Sequence, residues 1–521
     1  MQGGRLREKV IRTLILAGLI AGTLLTWRNS FKGVFILDDQ SDILRNPAIT
    51  KLWPPSGILG WPPPSQRPVT MLTLAVNHAV GGFSVWGYHA VNLGIHLLAG
   101  LLLFGLVRRT LLNIPSFKSE NPGWIAGAVA MVWLVHPLQT ESVTYIIQRS
   151  ESLVGLFHLL VLYSAMRALE TRNRHWWSAV AVLACLVGAG VKESMAVAPL
   201  AVVLYDRGFV FSSIRLALQE RWRLYLGLAF SWLVLAVLLW FGPQYYAGLG
   251  QARYTVAEYV RTQPGVILHY LSLSFWPHPL LLDYGWPIAK TIGDVLPGLI
   301  VVGSLLALMA VMFRKYPRAV AVGLWGFLAL APSSGFLPLR DMAFEHRMYL
   351  PLAALVILSV AGASLAINSL KGPAGAGWWK GILLFAVVVP LMKITADRNT
   401  VYSSAIGMYG DIVEKKPVSV RGHHNLGTAL AEAGRMEEAL VQFKRTVEIQ
   451  PDYAEGYYNM GYVLARLGRR GEAKVAYRRA LEIKPYFQNP AINLAIMLRA
   501  EGRIEEAENV IRRVQRSELS R

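Results

Sequence analysis

One cysteine in 521 residues, Cys185, rules out an intramolecular disulfide. The chain must be held by packing alone. Charge is scarce too: 16% of residues are Asp, Glu, Lys or Arg, against about 25% in an ordinary soluble domain. Mean hydropathy is +0.38, which excludes a plain water-soluble enzyme as a description of the whole chain. Acids are the scarcer sign, 32 against 52 bases, for a net charge of +20. Such a balance can mark a nucleic-acid binder, but here the bases sit in short loops between apolar runs, so no nucleic-acid partner is expected. No GxGxxG, Walker, HExxH or CxxC string is present. Nucleotide and zinc chemistry therefore find no support, and neither a cofactor nor a metal is expected.

What is abundant is apolar sequence. Stretches able, or nearly able, to cross about 30 Å of hydrocarbon lie near 10–27, 89–107, 124–138, 152–168, 176–191, 195–205, 224–241, 294–313, 319–332, 350–368 and 381–395. The first lacks a small-residue cleavage site and reads as a retained span rather than a signal peptide. The stretch 264–283, with its prolines, His269, His278 and Asp283, reads as re-entrant or interfacial. Eleven spans with the N-terminus inside leave 19 bases, among them Arg108, Arg109, Lys118, Arg207, Lys315 and Arg318, against five acids in the inside loops. That follows the positive-inside rule. It predicts an integral protein of a cytoplasmic or ER-type membrane, with its C-terminal domain on the non-cytoplasmic side.

That domain announces itself by a change in composition and a repeat. Residues 417–521 hold 17 bases and 13 acids. Pro417, Pro451 and Pro485 are 34 apart, as are Asn425, Asn459 and Asn493, Gly434, Gly468 and Gly502, and Ala439, Ala473 and Ala507. A 34-residue period with small residues where helices touch is the tetratricopeptide (TPR) pattern. The third repeat has Ala495 in place of Gly427 and Gly461, as a terminal cap would. The fold class is thus all-α: a multi-span membrane domain over 1–397, a linking helix over 398–416, and about three TPRs over 417–521.

Candidate chemistry lies at the outer ends of the spans. Asp38 and Asp39 sit in the first outer loop; His136, Glu141, Arg149 and Glu151 in HPLQTESVTYIIQRSE; Lys192 and Glu193 in a short outer turn; Asp341, Glu345, His346 and Arg347 in RDMAFEHRMYLP. Ionisable groups at membrane depth face a cavity or one another. Gathered on one cavity, bases could hold a phosphate while a carboxylate takes a proton from an attacking hydroxyl. Each has a plainer reading. Asp38 and Asp39 also suit a solvated turn, or Asp39 a helix N-cap. His136 can simply end a helix, Arg149 can snorkel, and Lys192 and Glu193 can neutralise each other. Asn425, Asn459 and Asn493 would form an amide ladder able to hold an extended acceptor peptide, or would bond neighbouring helices.

FILDDQSDILRNP after the first span, RPVTMLTLAVNH with YHAVNLGIHLLAG, HPLQTESVTYIIQRSESL, FWPHPLLLDY, EHRMYLP and a TPR tail follow one another in order. Together they resemble the transmembrane-and-TPR (TMTC-type) protein O-mannosyltransferases. The resemblance implies a C-type glycosyltransferase (GT-C) fold, a polyprenyl-phosphate sugar donor (mannose in that family), inversion at the anomeric carbon, and Ser/Thr acceptors on exported proteins. By the same resemblance Asp39 is the base and Asp38 its partner. Arg149, Lys192, His346 and Arg347 are the candidates for neutralising the donor phosphate, with His136, Glu141, Glu193 and Glu345 lining the site. Three repeats are fewer than the longer members carry. A GT-C transferase acting on a lipid or envelope glycan, and a non-catalytic membrane scaffold displaying TPRs, are the alternatives.

Overall fold

The computed structural model describes residues 2–117, 120–243, 254–335 and 338–519. Lys118, counted among the inside bases, lies outside them, as do the side chains of Arg5 and Arg7. The described residues are helical with no strand, and they divide into two units.

The first unit spans Met1–Leu280 and Trp286–Ser403. Its main helices are α1 (Gln2–Trp27), α2 (Pro68–Gly81), α3 (Val85–Leu112), α4 (Pro122–Val135), α5 (Arg149–Glu170), α6 (Arg174–Ala189), α7 (Ala198–Phe209), α8 (Ile214–Phe241), α9 (Val256–Phe275), α10 (Ile292–Met312), α11 (Pro317–Ser334) and α12 (Pro351–Val401). Proline at the first helical position starts α2, α4, α11 and α12, where its missing N–H is not needed. Thr255 with Glu258, and Thr291 with Asp294, form capping boxes at α9 and α10.

Seven segments are long and apolar enough to cross a membrane: Glu8–Lys32, Val85–Leu112, Ile146–Glu170, Ile214–Phe241, Ile292–Met312, Pro351–Gly372 and Ala376–Val401. This measure does not confirm the expected eleven, because several expected spans are short helices. The 124–138 and 176–191 stretches are the 14-residue α4 and 16-residue α6, and 195–205 is a tight turn running into the 12-residue α7. The last two long segments are one helix kinked at Gly372, whose φ of +66° suits glycine. Only 6% of the most apolar window of α10 is buried inside the protein. Leu299, Ile300, Leu308 and Val311 face outward from it; such a surface is unfavourable in water and matched by lipid.

The first half of 264–283 continues α9, which carries Pro264. Its second half is irregular, and Leu281–Gly285 counts with the second unit. There Asp283 pairs with Arg421 at 2.5 Å, and Lys416 donates to the Gly285 carbonyl. Asp283 thus binds a cation of the repeat domain.

The second unit otherwise runs from Ser404 to the C-terminus. The expected linking helix of 398–416 is divided: residues 398–401 end α12, and α13 (Ala405–Lys415) starts afresh behind a Ser404 cap. Three helix pairs follow: α14 (Val420–Glu432) with α15 (Met436–Ile449), α16 (Ala454–Arg466) with α17 (Arg470–Ile483), and α18 (Gln488–Ala500) with α19 (Ile504–Leu519). The 34-residue glycines do two jobs. Gly434, Gly468 and Gly502 turn the chain between paired helices at φ +79°, +77° and +79°. Gly427 and Gly461 let the rings of Phe443 and Tyr477 lie where a Cβ would stand, 2.8 and 2.7 Å away. Ala439, Ala473 and Ala507 are fully buried at the helix contacts.

Candidate active site

A cavity of about 300 Å3 opens in the first unit where several helices end together. It gathers the loop after α1, the start of α5, the turn between α6 and α7, the C-terminal ends of α8 and α11, and the start of α12. Asp38, Asp42, Arg67, Glu151, Lys192, Glu193, Arg340, Asp341, His346 and Arg347 all line it, with Val154, Leu239 and Pro351 among the apolar walls.

The first-loop acids point opposite ways. Leu37 carries φ +44°, the single non-glycine residue in that region among the described residues, and such strain is held only by surrounding contacts. Those contacts belong to Asp39. It is fully buried, accepting from the Ile36 N–H at 3.0 Å on one oxygen and the Ile147 N–H at 2.8 Å on the other. Burial pushes its carboxyl well above the usual range, against the pull of the two N–H donors. The Asp38 N–H donates to the Tyr145 hydroxyl at 2.9 Å, while its side chain is exposed on the cavity. Both oxygens of Asp39 are engaged away from the cavity. Asp39 ties the loop down and Asp38 is the acid presented.

Two cations of the cavity, Arg67 and Lys192, are held by acids. The Arg67 Nη2 donates to both Glu193 oxygens at 3.0 and 3.2 Å, and the Lys192 Nζ donates to Glu151 at 2.5 Å. Burial would raise the Glu193 carboxyl, but Arg67 and Lys192 outweigh it and hold it below the usual range. Burial likewise raises Asp42, helped by Asp38 and opposed by Ser41. The Nε of Arg67 is buried with no hydrogen-bond partner. That Nε is enclosed by protein, and it is the rest of the Arg67 side chain, 20% exposed, that meets the cavity.

His346 is positioned from behind. Glu141 accepts from its backbone N–H at 2.9 Å and meets its Nδ1 at 2.8 Å. The Nε2 lies 3.7 Å from Glu151. Burial depresses the imidazole to about 3, against the charge of Glu151, and raises the Glu141 carboxyl. With Nδ1–H toward Glu141, a neutral ring presents Nε2 on the Glu151 side.

Lys192, Glu193, His346 and Arg347 therefore line the cavity, as does Glu151. Arg347, however, donates to Met342 O at 2.8 Å, Asp341 O at 2.7 Å and Ser333 O at 3.2 Å, tying down the chain that precedes it. Arg149 stands apart from the cavity. It is fully buried, with Nε on Asn92 Oδ1 at 2.6 Å and Nη2 on Tyr88 O at 3.1 Å. It joins three segments and is no interfacial snorkel. His136 bonds Ser274 O and the Leu138 N–H, ending α4 and starting the next turn. Glu345 is buried outside the lining. Arg67, Asp42 and Arg340 were missed. A basic residue was needed opposite Glu193, but nothing in QRPV pointed to Arg67.

In the repeats, Asn459 Nδ2 bonds His424 Nε2 at 2.8 Å and Asn493 Nδ2 donates to Tyr477 OH at 3.3 Å. Asn425 meets its neighbour His424 at 3.4 Å. Two of the amides thus use donors inside the solenoid, the helix-bonding alternative to a peptide ladder. No group of three His, Cys, Asp or Glu able to hold a metal occurs among the described residues.

Family models described as TPR repeat and tetratricopeptide repeat match residues 427–468, 454–487 and 488–513. The chain is 23% identical over 464 residues to protein O-mannosyl-transferase F38B6.6 of Caenorhabditis elegans, covering 83% of this chain and 62% of that one. It is 25% identical over 507 residues to mouse protein O-mannosyl-transferase TMTC4, covering 82% and 66%. A 196-residue stretch is 31% identical to Drosophila melanogaster protein O-mannosyl-transferase Tmtc1, covering 36% of this chain and 22% of that one. The chain thus spans under two thirds of the length of these relatives.

Proposed function

We propose that this protein is a membrane-embedded, inverting transferase that moves a sugar, mannose by kinship, from a polyprenyl-phosphate carrier to Ser/Thr hydroxyls of exported proteins. The observation that carries this is a free carboxylate, Asp38, on one cavity with Arg67 and Lys192. An acceptor oxygen attacks the anomeric carbon as the bond from that carbon to the carrier phosphate breaks. The bonding pair leaves on the phosphate oxygen, and Asp38 takes the hydroxyl proton. Charge grows on the departing phosphate, where Arg67 and Lys192 stabilise it. His346, oriented by Glu141, forms the wall beside Glu151.

The site assignment differs from the first expectation: Asp38 replaces Asp39 as base, and Arg67 replaces Arg149 at the phosphate. The helix ends around the cavity support an eleven-pass reading, with α1, α3 to α8, α10, α11 and the two halves of α12 crossing and α9 lying at the interface. Under it the N-terminus is cytoplasmic and the repeats are outside, presenting protein acceptors. A peptide-binding class of repeat favours a protein acceptor over a glycolipid.

The test is reconstitution of the full chain in liposomes with polyprenyl-phosphate mannose and a Ser/Thr-rich protein. Mannosylated product of inverted anomeric configuration supports the proposal. Transfer to glycolipid alone, retained configuration, or no transfer by folded protein overturns it.

A further inference from the structure

A second cavity, of about 640 Å3, lies toward the other ends of the same helices. The start of α12 borders the first cavity at Pro351, and α12 borders the second at Leu358; on α11 the corresponding residues are Ala329 and Val322. Between the two, the Trp325 Nε1 donates to His158 Nε2 at 3.0 Å in a buried pair. His158 lines the first chamber and Trp325 the second, so the pair partitions them.

The second chamber has the opposite electrostatic design to the first. Its walls are overwhelmingly apolar and aromatic, no Asp or Glu lines it, and Arg207, Lys315 and Arg318 do. None of the three makes an ion pair among the described residues; Arg207 rests on the Phe313 ring at 4.8 Å and Lys315 on Tyr316 at 5.3 Å. Nearby acids are engaged elsewhere: Asp206 holds Arg221 at 2.5 Å and Glu170 holds Arg109 at 2.7 Å. In the first cavity Arg67 and Lys192 carry their own counter-charges; here three cations border an apolar chamber without any. A small soluble anion would satisfy the cations and leave the walls bare, and a neutral lipid would do the reverse. Both are matched by a phosphate on an acyl chain, and basic pockets between membrane helices take anionic head groups.

We propose that this chamber is a binding site for one anionic phospholipid of the bilayer. Its head-group phosphate is held by Arg207, Lys315 and Arg318, and an acyl chain lies along α11 and α12. The site is independent of the transfer chemistry.

Native mass spectrometry of the delipidated full chain, titrated with dioleoyl phosphatidylglycerol, phosphatidylcholine or a polyprenyl monophosphate, tests it. One phosphatidylglycerol should be retained selectively. The triple variant R207Q/K315Q/R318Q should weaken retention roughly a hundredfold, each cation near an anionic surface being worth about a fivefold step. Ala361→Trp, which fills the chamber and leaves the charges, should abolish retention, while Arg314→Gln, outside the lining, should not change it. Should the triple variant fail to fold, Lys315→Gln alone should still give the fivefold loss. Equal retention of phosphatidylcholine, tighter retention of the polyprenyl phosphate, or a Lys315→Gln or Ala361→Trp variant that binds like wild type would overturn the proposal.

Discussion

Replacing the two first-loop acids separately should give opposite phenotypes, although they are adjacent in sequence. Asp38 makes no side-chain hydrogen bond or ion pair among the described residues and stands exposed on the cavity. Asp38→Asn should therefore leave the unfolding temperature unchanged. It removes the proposed proton acceptor, for an expected loss of about 10²–10⁴ in rate, or roughly 3–5 kcal/mol in the barrier. Asp39→Asn keeps one oxygen for one of the two N–H donors, Ile36 or Ile147, and turns an NH2 toward the other. Facing buried donors without acceptors cost about 1–3 kcal/mol each. Removing a desolvated carboxylate returns part of that, leaving a net loss of about 1–3 kcal/mol. The Asp39→Asn protein should melt a few degrees lower yet retain much of its transfer activity while folded. Mannose transfer in proteoliposomes and thermal unfolding in detergent, measured on the same preparations, separate the two. A folded Asp39→Asn variant without activity, beside an Asp38→Asn variant of wild-type rate, would refute the assignment of the base.

At the phosphate, Arg67→Ala should raise the apparent KM for the donor at least tenfold, with Arg67→Lys restoring only part, because a lysine lacks the planar fork. Arg149→Ala should instead lower the melting temperature, stranding the acceptors Asn92 Oδ1, Thr73 O and Tyr88 O; unchanged stability with weakened donor binding would return Arg149 to the site. Glu193 is held below its ordinary value of 4.5, so its contribution to stability is full above that pH and fades as acid passes through the lowered value. The melting difference between wild type and Glu193→Gln should be flat from pH 5 to 7 and shrink below pH 4.5; a difference that grows in acid has the wrong sign. Gly468→Ala should cost about 1–2 kcal/mol in the repeat domain, because a Cβ there meets no atom within 4 Å and the expense is confined to φ +77°. A reporter active only outside the cytoplasm, fused after Arg521, should be active; activity of a cytoplasm-only reporter would place the repeats inside.

What could be read from the chain depended on whether the signal was periodic. The TPRs repeat every 34 residues, and their glycines and alanines have one structural use each, so Gly434, Gly461 and Ala473 could be interpreted before any helix was placed. Spans were legible where one helix was both long and apolar, as at Val85–Leu112. They were less so where a turn at Glu193–Val197 feeds the short α7, because hydropathy does not register a broken helix. The site was half legible. Charge at the ends of spans marked Lys192, Glu193, His346 and Arg347, which share the cavity, but also Arg149 and His136, which bond backbone elsewhere. Sequence order cannot tell which of two neighbouring aspartates faces inward; that is decided by Leu37 at φ +44° and the N–H of Ile147, more than a hundred positions away.

The pairing within the first cavity explains why charge alone was an ambiguous guide. An ionised side chain near membrane depth is costly without a counter-charge, so a site that accepts a phosphate must be neutralised while empty. Arg67 with Glu193 and Lys192 with Glu151 meet that requirement, and by pairing they come to look like structural ion pairs. What distinguishes them is incompleteness. Arg347 donates to Met342, Asp341 and Ser333 carbonyls, whereas Arg67 engages Glu193 through Nη2 and leaves a buried Nε without a partner. An unmet buried donor is unfavourable by about 1–3 kcal/mol, and in the proposed reaction the exposed part of Arg67 would meet the phosphate while Glu193 stays on Nη2. On that proposal the acid remains to hold the arginine in place as the sugar departs, and the carboxylate that neutralises the empty site also orients the filled one.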